Sequence, residues 1–223
     1  MTSLIRNLRL RRAAHLAVVN LRILLGFAFL PAGIKKVLGQ PFTDPANHGS
    51  FHDFLHAFRD TGGFYRFVGM VQLVAAVLLM TQWRATLGAV VALPIITAIV
   101  ALCWSTGAVP TAVVATLMWL GTVALVLWDE PAWRAVLGVG ERESSGRTTP
   151  SSSAPPLSDL RLWGRCGAAI FVTYVALTAM AGEVYRPRRV ELDKPAFYLL
   201  VALPLLPLST WLLERRRRKQ LAG

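Results

Sequence analysis

Long uncharged apolar segments constrain the fold of this chain more than any other feature of its sequence. Residues 85–104 and 109–128 each span 20 residues without a charge, and residues 195–213 span 19. A transmembrane helix needs about 20 predominantly apolar residues to cross a hydrocarbon layer of about 30 Å. Three shorter or charge-interrupted segments have the same character, and they cover residues 13–30, 67–83 and 166–182. The sequence therefore predicts an all-α membrane protein with six transmembrane helices.

The distribution of basic residues explains the net charge of +12 without a nucleic-acid partner. Fifteen lysines and arginines lie beside the spans on the side of the N-terminus, and eight lie on the opposite side. The side richer in these residues is normally cytoplasmic. We therefore expect a protein of the cytoplasmic (inner) membrane with both termini in the cytoplasm. Its main partner is then the lipid bilayer, and we expect no nucleic acid.

The order of the segments predicts two parts. Residues 1–138 should form a four-helix membrane domain, with an extracytoplasmic loop at residues 39–63. Residues 139–160 are rich in Ser, Thr, Pro and charge, so they should form a flexible cytoplasmic linker. Residues 161–223 should add two transmembrane helices with a basic tail. Pro204 and Pro207 should bend the last helix.

The two cysteines predict no intrachain disulfide. Cys103 lies near the outer end of the third predicted span, and Cys166 lies at the inner end of the fifth. Disulfide-bonded residues have Cα atoms less than about 7 Å apart, which is far less than the thickness of a bilayer. We also expect no haem, since the spans hold no pair of histidines and the sequence has no CxxCH attachment motif.

Arg22 lies inside the first apolar segment and is the first candidate for a ligand-binding residue. An arginine at bilayer depth costs at least about 2.5–3.5 kcal/mol on insertion scales, and it normally faces the inside of a bundle. Asn20 on the same helix and Gln72 on the second lie at comparable predicted depths. The spans contain no interior Asp or Glu, so we expect Arg22 to lack a carboxylate partner. Either the three residues contact a ligand, or Arg22 extends to the cytoplasmic headgroups.

The loop contains a predicted amphipathic helix at residues 50–59. Its apolar residues recur at helical spacing and include Phe51, Phe54 and Phe58. This helix either covers a membrane cavity as a lid or lies at the membrane interface with its polar face outward.

Three histidines of the same loop are candidate metal ligands. His52 and His56 are four residues apart, which places them on one helix face, and His48 precedes them. A solvated polar face explains the same residues without a metal.

Two lysines follow at the outer end of the first helix. Lys35 and Lys36 run against the charge asymmetry of the other segments. They either neutralise an anionic ligand or headgroup, or mark the edge of the membrane.

The first two spans resemble a known family. Residues 21–36, LRILLGFAFLPAGIKK, are similar to the opening helix of DoxX-like membrane proteins, where an arginine, a glycine and a Gly-x-x-Lys element recur in this order. Residues 67–79 and 84–89 resemble the second helix of that family and its basic hairpin. The resemblance covers about residues 17–128. Gln72 stands where many members carry glutamate, and the two C-terminal helices are additional.

The resemblance implies a four-helix membrane bundle with a loose association with redox chemistry. It suggests an accessory or quinone-associated component of a membrane redox system, with redox proteins as partners and quinone as a ligand. A catalytic residue is not implied. Two other functions fit the same residues, namely a small-solute or lipid transporter or binding protein, and a scaffold without catalysis.

Overall fold

The computed structural model describes residues 11–129, 158–182, 184 and 195–222. This part of the chain is helical, and six of its helices are long and apolar enough to cross a membrane, which confirms the predicted fold class. The helices are α1 (Arg12–Val37), α2 (Ser50–Asp60), α3 (Gly63–Met80), α4 (Ala85–Ser105), α5 (Val109–Trp128), α6 (Leu160–Ala181), α7 (Pro195–Ala202) and α8 (Leu205–Ala222).

Several helices extend beyond the apolar segments that predicted them. The 26 residues of α1 span about 39 Å, more than the hydrocarbon layer requires. Helix α6 begins six residues before the predicted span, because the side chain of Asp159 accepts the N–H of Leu162 and caps its first turn. Hydropathy marks the part of a helix that lies in hydrocarbon, whereas capping groups determine where the helix begins.

The first four spans pack as an antiparallel bundle. Helix α1 packs most extensively on α3, α3 on α4, and α4 on α5, while α1 also contacts α5. The connection between α3 and α4 is a tight turn in which Gln82 and Arg84 have left-handed φ angles of 58° and 53°. Links of this length make consecutive helices antiparallel neighbours.

Glycines set the close approach of α1 and α3. A Cβ atom on Gly26 would lie 2.5 Å from Cγ of Met80, and one on Gly69 would lie 2.6 Å from Cβ of Lys36. Gly33 meets the side chain of Leu73 in the same way. Small residues at a membrane helix interface let the backbones approach and gain van der Waals contact.

The C-terminal helices pack on this bundle. Helix α6 contacts α1 and α3, and α8 contacts α6. A Cβ on Gly164 or Gly167 would collide with the backbone carbonyl oxygens of Thr81 and Met80, so glycine is required at both positions. The sequence suggested two appended helices, but the buried side chains of α6 are part of the same apolar core.

The last span is broken near Pro204, as predicted. Helix α7 ends at Ala202, α8 begins at Leu205, and Leu203 makes turn hydrogen bonds between them. Pro207 lies within α8. The predicted linker lies outside the described residues except for its last three, where Asp159 caps α6.

Candidate functional site

Arg22 lies inside the bundle and is paired with a carboxylate. Its Nη2 atom donates to both carboxylate oxygens of Asp129 at 2.8 Å, and Nη1 donates to Oε1 of Gln82 at 3.2 Å. The hydroxyl of Thr86 also donates to Asp129, at 3.0 Å. The side chains of Arg22 and Asp129 are only 10% and 13% exposed. The result is a buried ion pair that joins α1 to the end of α5.

The expectation that Arg22 lacks a carboxylate partner was therefore wrong. Asp129 directly follows the last helical residue of α5 and lies outside the uncharged span. Side chains on a helix point towards its N-terminus, so Arg22 extends towards the membrane end where α5 terminates. A carboxylate at a helix C-terminus is disfavoured by the helix dipole, and the guanidinium compensates for it.

The other two members of the predicted cluster do not join Arg22. The contacts of Gly26 with Met80 and of Gly33 with Leu73 fix the register of α1 against α3. This register places Gln82 opposite Arg22 and Gln72 opposite Ala32, about 15 Å further along α1. The amide of Asn20 donates to the carbonyl of Leu16 in its own helix at 2.8 Å.

Gln72 is a buried amide in the interior of α3. Its side chain is 1% exposed, and its Oε1 atom has no hydrogen-bond partner in the described part of the protein. Gly69 and Ala76, on the same side of α3, both contact α1. A buried amide oxygen without a donor costs about 1–3 kcal/mol. This unmet acceptor is the strongest indication of a ligand in the structure.

Lys36 brings a cation to the same level of the α1–α3 interface. It is 7% exposed, and its ammonium donates to the carbonyl of Ala32 at 3.4 Å. The ammonium also lies 4.6 Å from the ring centre of Phe42 and 5.9 Å from that of Tyr65. Lys35 instead donates to the carbonyl of Pro41 at 3.4 Å. Of the two lysines, Lys36 is therefore the one that enters the bundle.

The loop helix α2 lies at this end of the bundle and is anchored through its connections. Tyr65 donates from its hydroxyl to the carbonyl of Gln40 at 2.9 Å, and Arg59 donates from Nε to the carbonyl of Gly39 at 3.2 Å. The ring of Phe58 packs edge-on against Tyr65, with centroids 5.0 Å apart. Phe54 stacks on Phe58, and Phe51 lies against His52. The predicted helix is confirmed; its role as a lid stays a prediction.

The three loop histidines each have a separate neighbour. His52 shares a hydrogen bond of 2.6 Å with the hydroxyl of Thr43, and His56 one of 3.2 Å with the carbonyl of Asn47. His48 lies 3.8 Å from the carboxylate of Asp53. Among the residues that the structure describes, no three His, Cys, Asp or Glu side chains are grouped closely enough to hold a metal ion.

A second buried carboxylate holds the C-terminal helices and was missed by the sequence reasoning. Glu214 of α8 is 2% exposed and accepts from the backbone N–H of Asp159 at 3.2 Å and from Nε1 of Trp163 at 3.0 Å. Arg218 donates to it at 3.1 Å, and Arg12 of α1 lies 3.9 Å away. Its position next to a run of arginines is the signal that could have revealed it.

Both cysteines are buried free thiols, and they occupy different helices. Cys103 lies near the end of α4, and Cys166 lies near the beginning of α6.

Comparisons with known proteins add no family to these observations. A scan against models of protein families found no match, and neither did searches of the curated proteins and of the solved structures.

Proposed function

We propose that this chain is a DoxX-like integral membrane protein that binds a quinone near Gln72 and Lys36, as an accessory component of a membrane redox system. The observation that carries the proposal is the fully buried amide of Gln72, whose Oε1 lacks a partner in the described residues. The chain would hold the quinone, and a partner oxidoreductase would exchange electrons with it.

The amide of Gln72 suits both redox forms of such a ligand. Its N–H group can donate to a quinone carbonyl, and its oxygen can accept from a quinol hydroxyl. A ligand that supplies the missing donor would recover the cost of the unpaired oxygen. The family resemblance implies glutamate at this position in many members, and glutamine keeps the hydrogen-bonding capacity without the charge.

The surroundings of Gln72 suit a flat, largely apolar ligand. The rings of Phe42 and Tyr65 lie near the ammonium of Lys36 and make this end of the bundle aromatic and largely apolar. Lys36 provides a further donor for a carbonyl oxygen. Outside the bundle, Phe64, Phe67 and Met70 of α3 are exposed and would face lipid, where quinones are dissolved.

Arg22 is not the ligand site in this proposal. Its charge is balanced by Asp129, with which it makes two hydrogen bonds of 2.8 Å. We assign the protein to the cytoplasmic membrane, with both termini inside, on the basis of the charge asymmetry.

The binding of quinone can be tested with protein in lipid nanodiscs. We expect a short-chain ubiquinone to raise the melting temperature of the native protein, and quinone to be found by mass spectrometry in protein purified in mild detergent. Gln72→Leu should abolish the thermal shift. Asn20→Leu is the matched control, because in the described residues that amide donates to a carbonyl of its own helix, and it should retain the shift. Equal shifts in the two variants would refute the assignment of Gln72.

A non-catalytic scaffold is the alternative that a specific observation favours. The ion pair of Arg22 and the glycine contacts of α1 with α3 both serve packing without a ligand. In that case Gln72→Leu should stabilise the protein, since leucine removes a buried unpaired oxygen, and quinone should have no effect on any variant. A transporter or lipid-binding protein would instead show thermal shifts with its own solutes at the same site.

A further inference from the structure

The basic run at the end of α8 is divided between two faces of the helix. Residues 215–219 are all basic and helical. Arg218 faces inward and donates to Glu214 at 3.1 Å, while Arg217 lies 3.6 Å from the carboxylate of Asp159. These two arginines therefore serve the packing of α8 against α6.

The remaining three cations point away from the bundle. Arg215, Arg216 and Lys219 are exposed, and none of them forms an ion pair within the described ranges. The guanidinium of Arg215 lies 5.5 Å from the ring centre of Trp211. Cations at positions i, i+1 and i+4 lie on one side of a helix, so their charges converge on the same region.

The same face continues as an exposed apolar stripe towards the middle of the span. Leu205, Leu208 and Leu212 are 59%, 53% and 44% exposed, and they precede Arg215 and Lys219 at helical spacing. The stripe thus runs from leucines at the depth of acyl chains to cations at the end of the helix. A phospholipid with an anionic headgroup has the same order of apolar and charged parts.

We propose that this outward face of α8 is a binding site for an anionic phospholipid, such as phosphatidylglycerol. Arg215 and Arg216 bind the phosphate, because guanidinium groups match the geometry of its oxygens, and Lys219 adds a point charge. The acyl chains lie along the three leucines. The apolar stripe favours a lipid over a soluble polyanion, since a nucleic acid or free phosphate has no acyl chains to pack against the leucines.

Two multiple variants separate the outward cations from the inward ones. The outward variant is Arg215→Gln with Arg216→Gln and Lys219→Gln, and the inward variant is Arg217→Gln with Arg218→Gln. Each cation near a membrane surface contributes about a fivefold increase in affinity for anionic lipid, so the outward variant should lose roughly 100-fold. The inward variant should keep its preference for anionic lipid and melt at a lower temperature, because Glu214 loses a donor.

The measurement is native mass spectrometry of the full-length protein in micelles with equal amounts of phosphatidylglycerol and phosphatidylcholine. We expect the native protein to retain phosphatidylglycerol selectively, the inward variant to do the same, and the outward variant to retain both lipids equally. Circular dichroism of the outward variant should match that of the native protein.

Three results would overturn the proposal. The first is that the outward variant retains its selectivity for phosphatidylglycerol. The second is that both variants lose selectivity in proportion to the number of charges removed, which would indicate diffuse electrostatic attraction. Displacement of the lipid by inorganic phosphate or an oligonucleotide at equal concentration would show that the acyl chains contribute nothing. A third variant, Arg215→Lys with Arg216→Lys, keeps the charge but loses the guanidinium geometry, so its selectivity should fall between those of the native protein and the outward variant.

Discussion

The ion pair of Arg22 and Asp129 should show strong energetic coupling. Asp129→Leu leaves Arg22 with Gln82 as its remaining hydrogen-bond partner, and Arg22→Leu leaves Asp129 with Thr86. Removing one partner of a buried ion pair costs about 3–5 kcal/mol, because the other charge stays buried and unpaired. Since the two side chains are 10% and 13% exposed, we expect the lower end, about 3 kcal/mol for each variant.

The double variant with leucine at both positions should be much more stable than the two single losses predict. Replacing a whole buried ion pair with apolar side chains is often neutral, since it removes both desolvated charges. Independent losses would sum to about 6 kcal/mol, whereas we expect the double variant to lose at least about 2 kcal/mol less than that sum. This difference is the coupling energy of the pair.

The native protein, the two single variants and the double variant form a double-mutant cycle. Their stabilities can be compared by unfolding in mixed micelles with increasing sodium dodecyl sulfate, with circular dichroism as the signal. Asn20→Leu serves as the control on α1, because its hydrogen bond to Leu16 lies within the helix, and it should change stability little. If the effects of the two single variants add within about 0.5 kcal/mol, the two charges do not interact and the described geometry is wrong.

Three further variants test the packing of the bundle. Gly167→Ala should lower the melting temperature, because the new methyl group collides with the carbonyl of Met80, while Gly63→Ala, which meets open space, should not. Glu214→Gln should also lower it, by removing a buried charge that its arginine neighbours require; an unchanged melting temperature would contradict the described contacts. Tyr65→Phe removes one hydrogen bond, worth about 0.5–1.5 kcal/mol, and should make the loop easier to cleave with protease, which limited proteolysis would detect.

The spans were predictable because the bilayer imposes a length and a polarity on each one. The uncharged segments at residues 85–104 and 109–128 match α4 and α5 to within one residue. The helix of the loop was predictable from the spacing of its aromatic residues. These features depend on local sequence, and neighbouring helices do not alter them.

The contacts between helices were harder to predict from the sequence, because they depend on the rotation of each helix and on its register against its neighbours. Arg22 was assigned to Gln72 from depth alone, whereas the glycine contacts place it opposite Gln82. Asp129 was overlooked because it falls one residue beyond an uncharged span. The pairing of Asp129 with Arg22 could have been inferred, because α5 ends on the side of the membrane towards which the Arg22 side chain points.

The partner of Arg22 lies 107 residues further along the chain, and this distance has a consequence for synthesis. At about 5–20 residues per second, the ribosome needs roughly 5–20 s to reach Asp129 after it has made Arg22. During that interval the first helix carries an uncompensated charge, with a cost of at least about 2.5–3.5 kcal/mol at full depth. Because α1 is about 39 Å long, it can sit displaced towards the side of its N-terminus, with Arg22 among headgroups, until α5 arrives. We therefore expect a late axial movement of the first helix, triggered by the completion of the fourth span and before the last two spans are made.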